Sequence, residues 1–165
     1  MKNKNYGIFN FKIIDNIIEY KRIEMFELFK NQLSKISVNS FLDIGTTEEN
    51  LLKSSNFFVK KFQHIKIKKS ISDQNIDKKI FNHYIKKSIT SNFEREELGL
   101  LKSDLVISSA TIEHVGSVEN QKKMIENIIN LTNKVFFVTT PYRFYPIDFH
   151  TKIPIIHMLP KKIHR

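Results

Sequence analysis

The sequence predicts an α/β domain: a doubly wound, mainly parallel five-stranded sheet in the order 3-2-1-4-5. Three observations predict it. Short apolar runs alternate with helical stretches between residues 38 and 140, the pattern of strand–helix–strand units covered on both faces. The first run, "NSFLDI" (39–44), ends on Asp43-Ile44-Gly45, as a buried parallel strand entering a turn does. All four prolines (141, 146, 154, 160) fall in the last 25 residues, so regular alternation stops there.

The elements follow in order. Residues 13–36 place Ile14, Ile17, Ile18, Met25, Phe26, Phe29, Leu33 and Ile36 at three-and-four spacing, which predicts one or two amphipathic helices with Asp15 as a cap. After the first strand, "SSNFFVKKF" (54–62) fits a short helix and the alternating "HIKIKKSIS" (64–72) a second strand. "DKKIFN" offers a helical turn, "HYIKKSI" (83–89) a third strand and "SDLVISSA" (103–110) a fourth. In 116–132, Ser117 is the N-cap candidate and Glu119 suits the first turn, while Met124, Ile125, Ile128, Ile129 and Leu131 make one apolar stripe. "KVFFVTT" (134–140) is the fifth strand. The expected organisation is a helical segment at 1–37, an α/β core at 38–140 and a Pro-containing segment at 141–165 that could serve as a lid.

Composition narrows the function classes. The 165 residues suffice for one domain, 41% are hydrophobic, and no run approaches the roughly 18 apolar residues of a membrane span. The N-terminal stretch is interrupted by Asn10, Lys12 and Asp15, which argues against a secretory signal and makes a cytoplasmic address the expectation. Without cysteine there is no disulfide, thiol nucleophile or thiolate metal site. The formal charge of +10 invites a nucleic-acid reading, but 23 of the 27 cations are Lys, spread along a chain rich in Asn and Ile throughout. The dense runs alternate with apolar residues and read as solvated faces. Nucleic acid is therefore a disfavoured partner.

The turn after the first strand carries the functional question. "FLDIGTTEEN" (41–50) opens like a nucleotide-binding turn but supplies one glycine where a dinucleotide loop needs three, and no P-loop lysine. Glu48 and Glu49 would occupy the helix N-terminus where a phosphate belongs and would repel it. Phosphate-anchored cofactors are thus disfavoured. A cofactor with a positive centre is not.

At this point the sequence resembles the class I S-adenosylmethionine-dependent methyltransferases, in particular small bacterial members. The resemblance rests on "FLDIG", on "SDLVISSATIEHVGS" (103–117) and on "KVFFVTTPYRFYPIDFHTKIPIIHMLPKKIHR" (134–165), and it covers about residues 38–165. It implies a Rossmann-like fold and S-adenosylmethionine as cofactor. Asp43 and Gly45 would shape the turn beneath the methionine part, and Thr46 would line the same pocket through backbone and hydroxyl. Asp73, with Asp77 as fallback, would hold the ribose hydroxyls, because a carboxylate accepts two hydrogen bonds from a diol. Ser109 and Ala110 would flank the adenosine or the transferring methyl group. The chain departs from the family in its depleted glycine loop and in stopping soon after strand five, so the usual C-terminal hairpin is expected to be missing.

His114, beside Glu113 beyond strand four, is the candidate general base, since imidazole titrates near neutrality. Arg143 and His150 are substrate-contact candidates by position. His150, His157 and His164 recur every seven residues, but Pro154 and Pro160 break any helix that would align them, so no metal site is expected. The functional expectation is methyl transfer to an unidentified acceptor. Two alternatives stand beside it: a catalytically inactive methyltransferase-like module whose protein partner completes the fold, and a basic RNA-binding domain.

Overall fold

The computed structural model describes residues 11–48 and 55–141. The chain divides into two compact units, Met1–Met25 with Pro141–Arg165, and Phe26–Thr140. Within the first, the described residues are helical from 11 to 25, the opening part of α1 (Phe11–Leu33). A single helix thus covers most of the stretch that allowed one or two. Asp15 lies inside it rather than capping it, because the helical backbone already begins at Phe11.

The second unit holds the sheet. Its strands are β1 (Ser40–Ile44), β2 (Ile67–Ser72), β3 (His83–Lys86), β4 (Ser103–Ser109) and β5 (Thr132–Thr139). They run in the order β3-β2-β1-β4-β5 and every pairing is parallel. The helices are α2 (Phe57–Lys61), α3 (Arg95–Leu101) and α4 (Val118–Leu131), with one-turn 3-10 helices at Lys78–Ile80 and Ile112–His114. None of the described helices is long and apolar enough to cross a membrane.

Alternation along β1 sorts the two faces. Phe41 and Asp43 point one way, Leu42 and Ile44 the other, and all four are buried. The first face is aromatic. Phe29 stacks on Phe137 with ring centroids 4.1 Å apart, Phe58 meets Phe137 edge-on at 5.7 Å, and Phe41 lies 5.4 Å from Phe62. Phe26 touches Phe57, Phe58 and Phe62. The opposite face is aliphatic: Leu42, Ile44, Ile71, Val106, Leu101, Met124, Ile128 and Leu131 form one buried cluster.

Several elements start or stop for local reasons. β2 begins at Ile67 rather than 64 because the end of α2 is still closing, with Ile65 N–H donating to the Phe62 carbonyl at 3.1 Å. β3 ends at Lys86, and a turn follows in which the Ser88 and Thr90 hydroxyls lie 2.8 Å apart. Asp77 caps the 3-10 turn by accepting from Lys79 N–H at 3.0 Å. Ser117 caps α4 as its position foretold, accepting from Asn120 N–H. The apolar stripe of α4 is narrower than expected. Met124, Ile128 and Leu131 are buried, whereas Ile129 is 54% exposed.

Helix α3 is not foreseen by apolar periodicity. It is held by a reciprocal capping box between Glu94 and Glu97, and Lys87 binds both Glu97 oxygens at 2.8 and 3.1 Å. Two hydrogen bonds from α4 fix the segment that leads to it. Asn127, 4% exposed, donates through Nδ2 to the Ile89 carbonyl at 2.6 Å and to the Ser91 carbonyl at 2.9 Å. Asn127→Ala leaves both carbonyls without that donor and is expected to cost about 1–3 kcal/mol, read as a lower urea midpoint at unchanged slope.

Candidate functional site

In this strand order the chain leaves β1 toward β2 on one side, while β4 lies on the other. The crevice beyond the carboxyl ends of β1 and β4 is therefore the topological switch point of the sheet. Three turns border that edge: 45–48 after β1, 73–77 after β2 and 110–117 after β4.

The first turn is tied down from several sides. Asp43, the penultimate residue of β1, is 7% exposed on the aromatic face. Thr46 Oγ1 donates to its Oδ2 at 2.5 Å, and Ser70 Oγ lies 2.7 Å from Thr46 Oγ1. A hydroxyl has one proton, and that of Thr46 goes to the carboxylate, so Ser70 donates to Thr46. Burial pushes the Asp43 carboxyl up to about 6, against the opposing pull of the Thr46 hydrogen bond. The Thr46 hydroxyl thus faces inward and serves Asp43. Its carbonyl accepts from Ser72 Oγ at 2.6 Å, and Gln74 N–H donates to the same Ser72 oxygen at 3.1 Å. Next along, Asn56 clamps Thr47 with two bonds of 2.9 Å, one to its N–H and one from Nδ2 to its carbonyl.

Gly45 has φ +87°, and its N–H donates to the Ile71 carbonyl at 2.9 Å. A side chain there would collide with Thr111, whose Oγ1 would sit 2.2 Å from the added Cβ. Thr111 Oγ1 donates to the Ile44 carbonyl at 3.2 Å, so the turns after β1 and β4 interlock through it.

Asp73 stands exposed directly after the last residue of β2. Asp77, the fallback, spends Oδ1 on the following 3-10 turn. Ser109 ends β4 and accepts from Thr139 Oγ1 at 3.1 Å, and Ala110 adopts φ +55° while donating its N–H to the Thr139 carbonyl. His114 is exposed on the 3-10 turn beyond β4, its Nε2 4.0 Å from Glu113 Oε1, and Thr140 Oγ1 donates to Glu113 Oε2 at 3.2 Å.

Six of the residues singled out in the sequence therefore share one edge: Asp43, Gly45, Thr46, Asp73, Ser109 and His114. Hydrogen bonding joins Asp43 to Thr46 directly, while Asp73 and His114 stand on different turns, on either side of the first. Arg143, His150 and the lid expected at 141–165 fall outside the described residues, apart from Pro141. Thr111, Ser70, Ser72 and Gln74 were not legible as site residues. Each acts through a contact with a different strand or turn, and no spacing along the chain announces such a contact.

These elements build a Rossmann-like, doubly wound α/β fold with an all-parallel sheet in the order 3-2-1-4-5. No protein-family model and no curated protein matches the sequence. Among solved structures the chain is similar to the N-methyltransferase NodS from Bradyrhizobium japonicum WM9 in complex with S-adenosyl-L-homocysteine. That similarity has a TM-score of 0.51 and 15% identity over 69% of this chain and 57% of that one. A second structure of NodS matches with a TM-score of 0.51 and 16% identity over 72% and 65% of the two chains. The chain thus spans less than two thirds of the length of these neighbours.

Proposed function

We propose that the chain binds S-adenosylmethionine at this edge and transfers its methyl group to an acceptor. The observation that carries the reading is the placement of Gly45 and Asp73 at the carboxyl ends of adjacent strands beside the switch point. The donor set fits such a ligand. Residues 43–48 hold two carboxylates and two hydroxyls and no Lys or Arg, which suits a sulfonium and not a phosphate. When bound, S-adenosylmethionine supplies an electrophilic methyl group for in-line displacement. The likeness to NodS, itself seen with S-adenosyl-L-homocysteine, supports the same reading.

On this reading each residue has a separate task. Asp73 accepts hydrogen bonds from the ribose diol. Gly45 brings backbone close to the ligand, and Asp43 with Thr46 holds that turn from beneath. Ser109 borders the reacting end. His114 takes a proton from an acceptor, and Arg143 and His150 are assigned to acceptor contact by sequence position. Positioning does most of the work in such a transfer, because a held near-attack geometry removes much of the barrier.

Calorimetric titration of the full chain with S-adenosylhomocysteine tests the reading. The wild type is expected to bind in the micromolar range. Asp73→Ala is expected to bind ten- to a hundredfold more weakly, as befits the net loss of one hydrogen bond to a charged acceptor, about 1.5–3 kcal/mol. A folded wild type that binds nothing would sink the enzyme reading and leave a methyltransferase-like module without its cofactor.

A further inference from the structure

The turn that carries Asp73 is fixed on both sides of that residue. Before it, the Ser72 hydroxyl, 3% exposed as a residue, donates to the Thr46 carbonyl at 2.6 Å. After it, Gln74 N–H returns to Ser72 Oγ at 3.1 Å, closing a loop of backbone around Asp73. The Gln74 side chain then reaches the first turn, where Oε1 accepts from Glu48 N–H at 3.3 Å. The Gln74 carbonyl in turn accepts from the Tyr84 hydroxyl. Tyr84 belongs to β3 and pairs in register with Ser70 of β2, so it projects from a strand already held in the sheet. A hydroxyl at the end of a rigid aromatic ring on a paired strand is a fixed point, unlike the exposed turn that it grips.

We propose that Tyr84 is a positioning residue: its hydroxyl, through the Gln74 carbonyl, holds the Asp73 carboxylate in the orientation that receives a ribose diol. The proposal rests on the reading of Asp73 given above and adds to it the group that sets its direction. Tyr84 is suited to the task because it stays protonated. Its phenol is held above its ordinary range first by burial and second by the negative charge of Asp73, so it remains a donor at any working pH. A free carboxylate on a surface turn would lose rotational freedom on binding the diol. In a turn closed by Ser72, Gln74 and Tyr84 the backbone is ordered beforehand, so that only the side chain has to settle, which favours binding.

The test compares the wild type with Tyr84→Phe, Asp73→Ala and the double variant, each titrated with S-adenosylhomocysteine and with its 2′-deoxy analogue. Tyr84→Phe keeps the ring and removes only the donor. It is expected to weaken S-adenosylhomocysteine binding about five- to tenfold, a loss of one hydrogen bond's typical worth, with the circular-dichroism melt nearly unchanged. The preference for the ribose form over the deoxy form should shrink in step. On the Asp73→Ala background Tyr84→Phe should change affinity less than twofold, since its effect passes through the missing carboxylate. Ser72→Ala, which loosens the other side of the turn, should reduce the ribose preference in the same way. Any one of three outcomes for Tyr84→Phe overturns the proposal. Tyr84→Phe binds both ligands as the wild type does, or it weakens both equally, or its effect persists in full without Asp73. Were Asp73→Ala itself to bind like wild type, the ribose role would fall and the positioning role with it. A loss confined to Asp73→Ala would remove the positioning role alone.

Discussion

Gly45→Ala is expected to destabilise the protein by about 2–4 kcal/mol and to abolish measurable binding of S-adenosylhomocysteine. Two separate penalties combine. The backbone at φ +87° lies in the left-handed region, where a Cβ costs about 1–2 kcal/mol. The new Cβ would also sit 2.2 Å from Thr111 Oγ1 and 2.9 Å from its Cγ2, distances at which one side must move. Thr111 cannot retreat without giving up its hydrogen bond to the Ile44 carbonyl, worth about 1 kcal/mol. Urea unfolding should show a lower midpoint at unchanged slope. Adding Thr111→Ala should restore part of the stability and not all of it, because the backbone penalty stays and the Thr111 Cβ is itself only 3.1 Å away. A single variant as stable as wild type would mean that the first and fourth strands do not meet through Gly45 and Thr111.

That pairing shows what was legible and what was not. The sheet could be read because each strand is a local event: an apolar run such as 39–44 or 103–110 must be buried on both faces, and βα alternation leaves few parallel orders. The order 3-2-1-4-5 follows, and with it the edge on which the candidate residues collect. Gly45 could be read as a turn glycine after Asp43. Its reason could not, because the atom that forbids a side chain there belongs to Thr111, on a turn three crossovers later.

Thr46 makes the same point in the opposite direction. A threonine in place of a loop glycine reads as a pocket hydroxyl, and its backbone does lie at the expected edge. Yet Asp43 is buried against an aromatic layer with few donors, and the nearest hydroxyl turns in to meet it. The demand of a buried carboxylate decides where that side chain points. Asp77 is similar, since a side chain able to bind a ribose is equally able to cap the 3-10 turn at Lys78–Ile80, and does so. Helix α3 escaped because its seven residues are too few to display a period. Its sequence cue was the pair Glu94 and Glu97 at capping-box spacing, a signal of polar residues rather than apolar ones.

The Asp43 carboxylate also predicts how stability depends on pH. In the unfolded chain the group titrates near 3.8; folded, burial holds it at about 6. The folded state therefore binds the proton more tightly, and the group favours folding most when it is protonated in both states, below about pH 4. As pH rises from 4 to 6 the unfolded carboxyl ionises freely while the buried one resists, so stability falls through this window and levels off above it. Roughly two units of difference correspond to about 3 kcal/mol. Asp43→Asn removes the titration and keeps an oxygen that can accept from Thr46. Its stability should lack that decline, so that relative to wild type it gains about 3 kcal/mol between pH 4 and pH 7. Urea midpoints for both proteins at half-unit pH steps measure this directly. Curves that run parallel across the window would mean that Asp43 is ionised in the folded protein well below pH 6, and that the Thr46 and Ser70 hydroxyls compensate its charge in full.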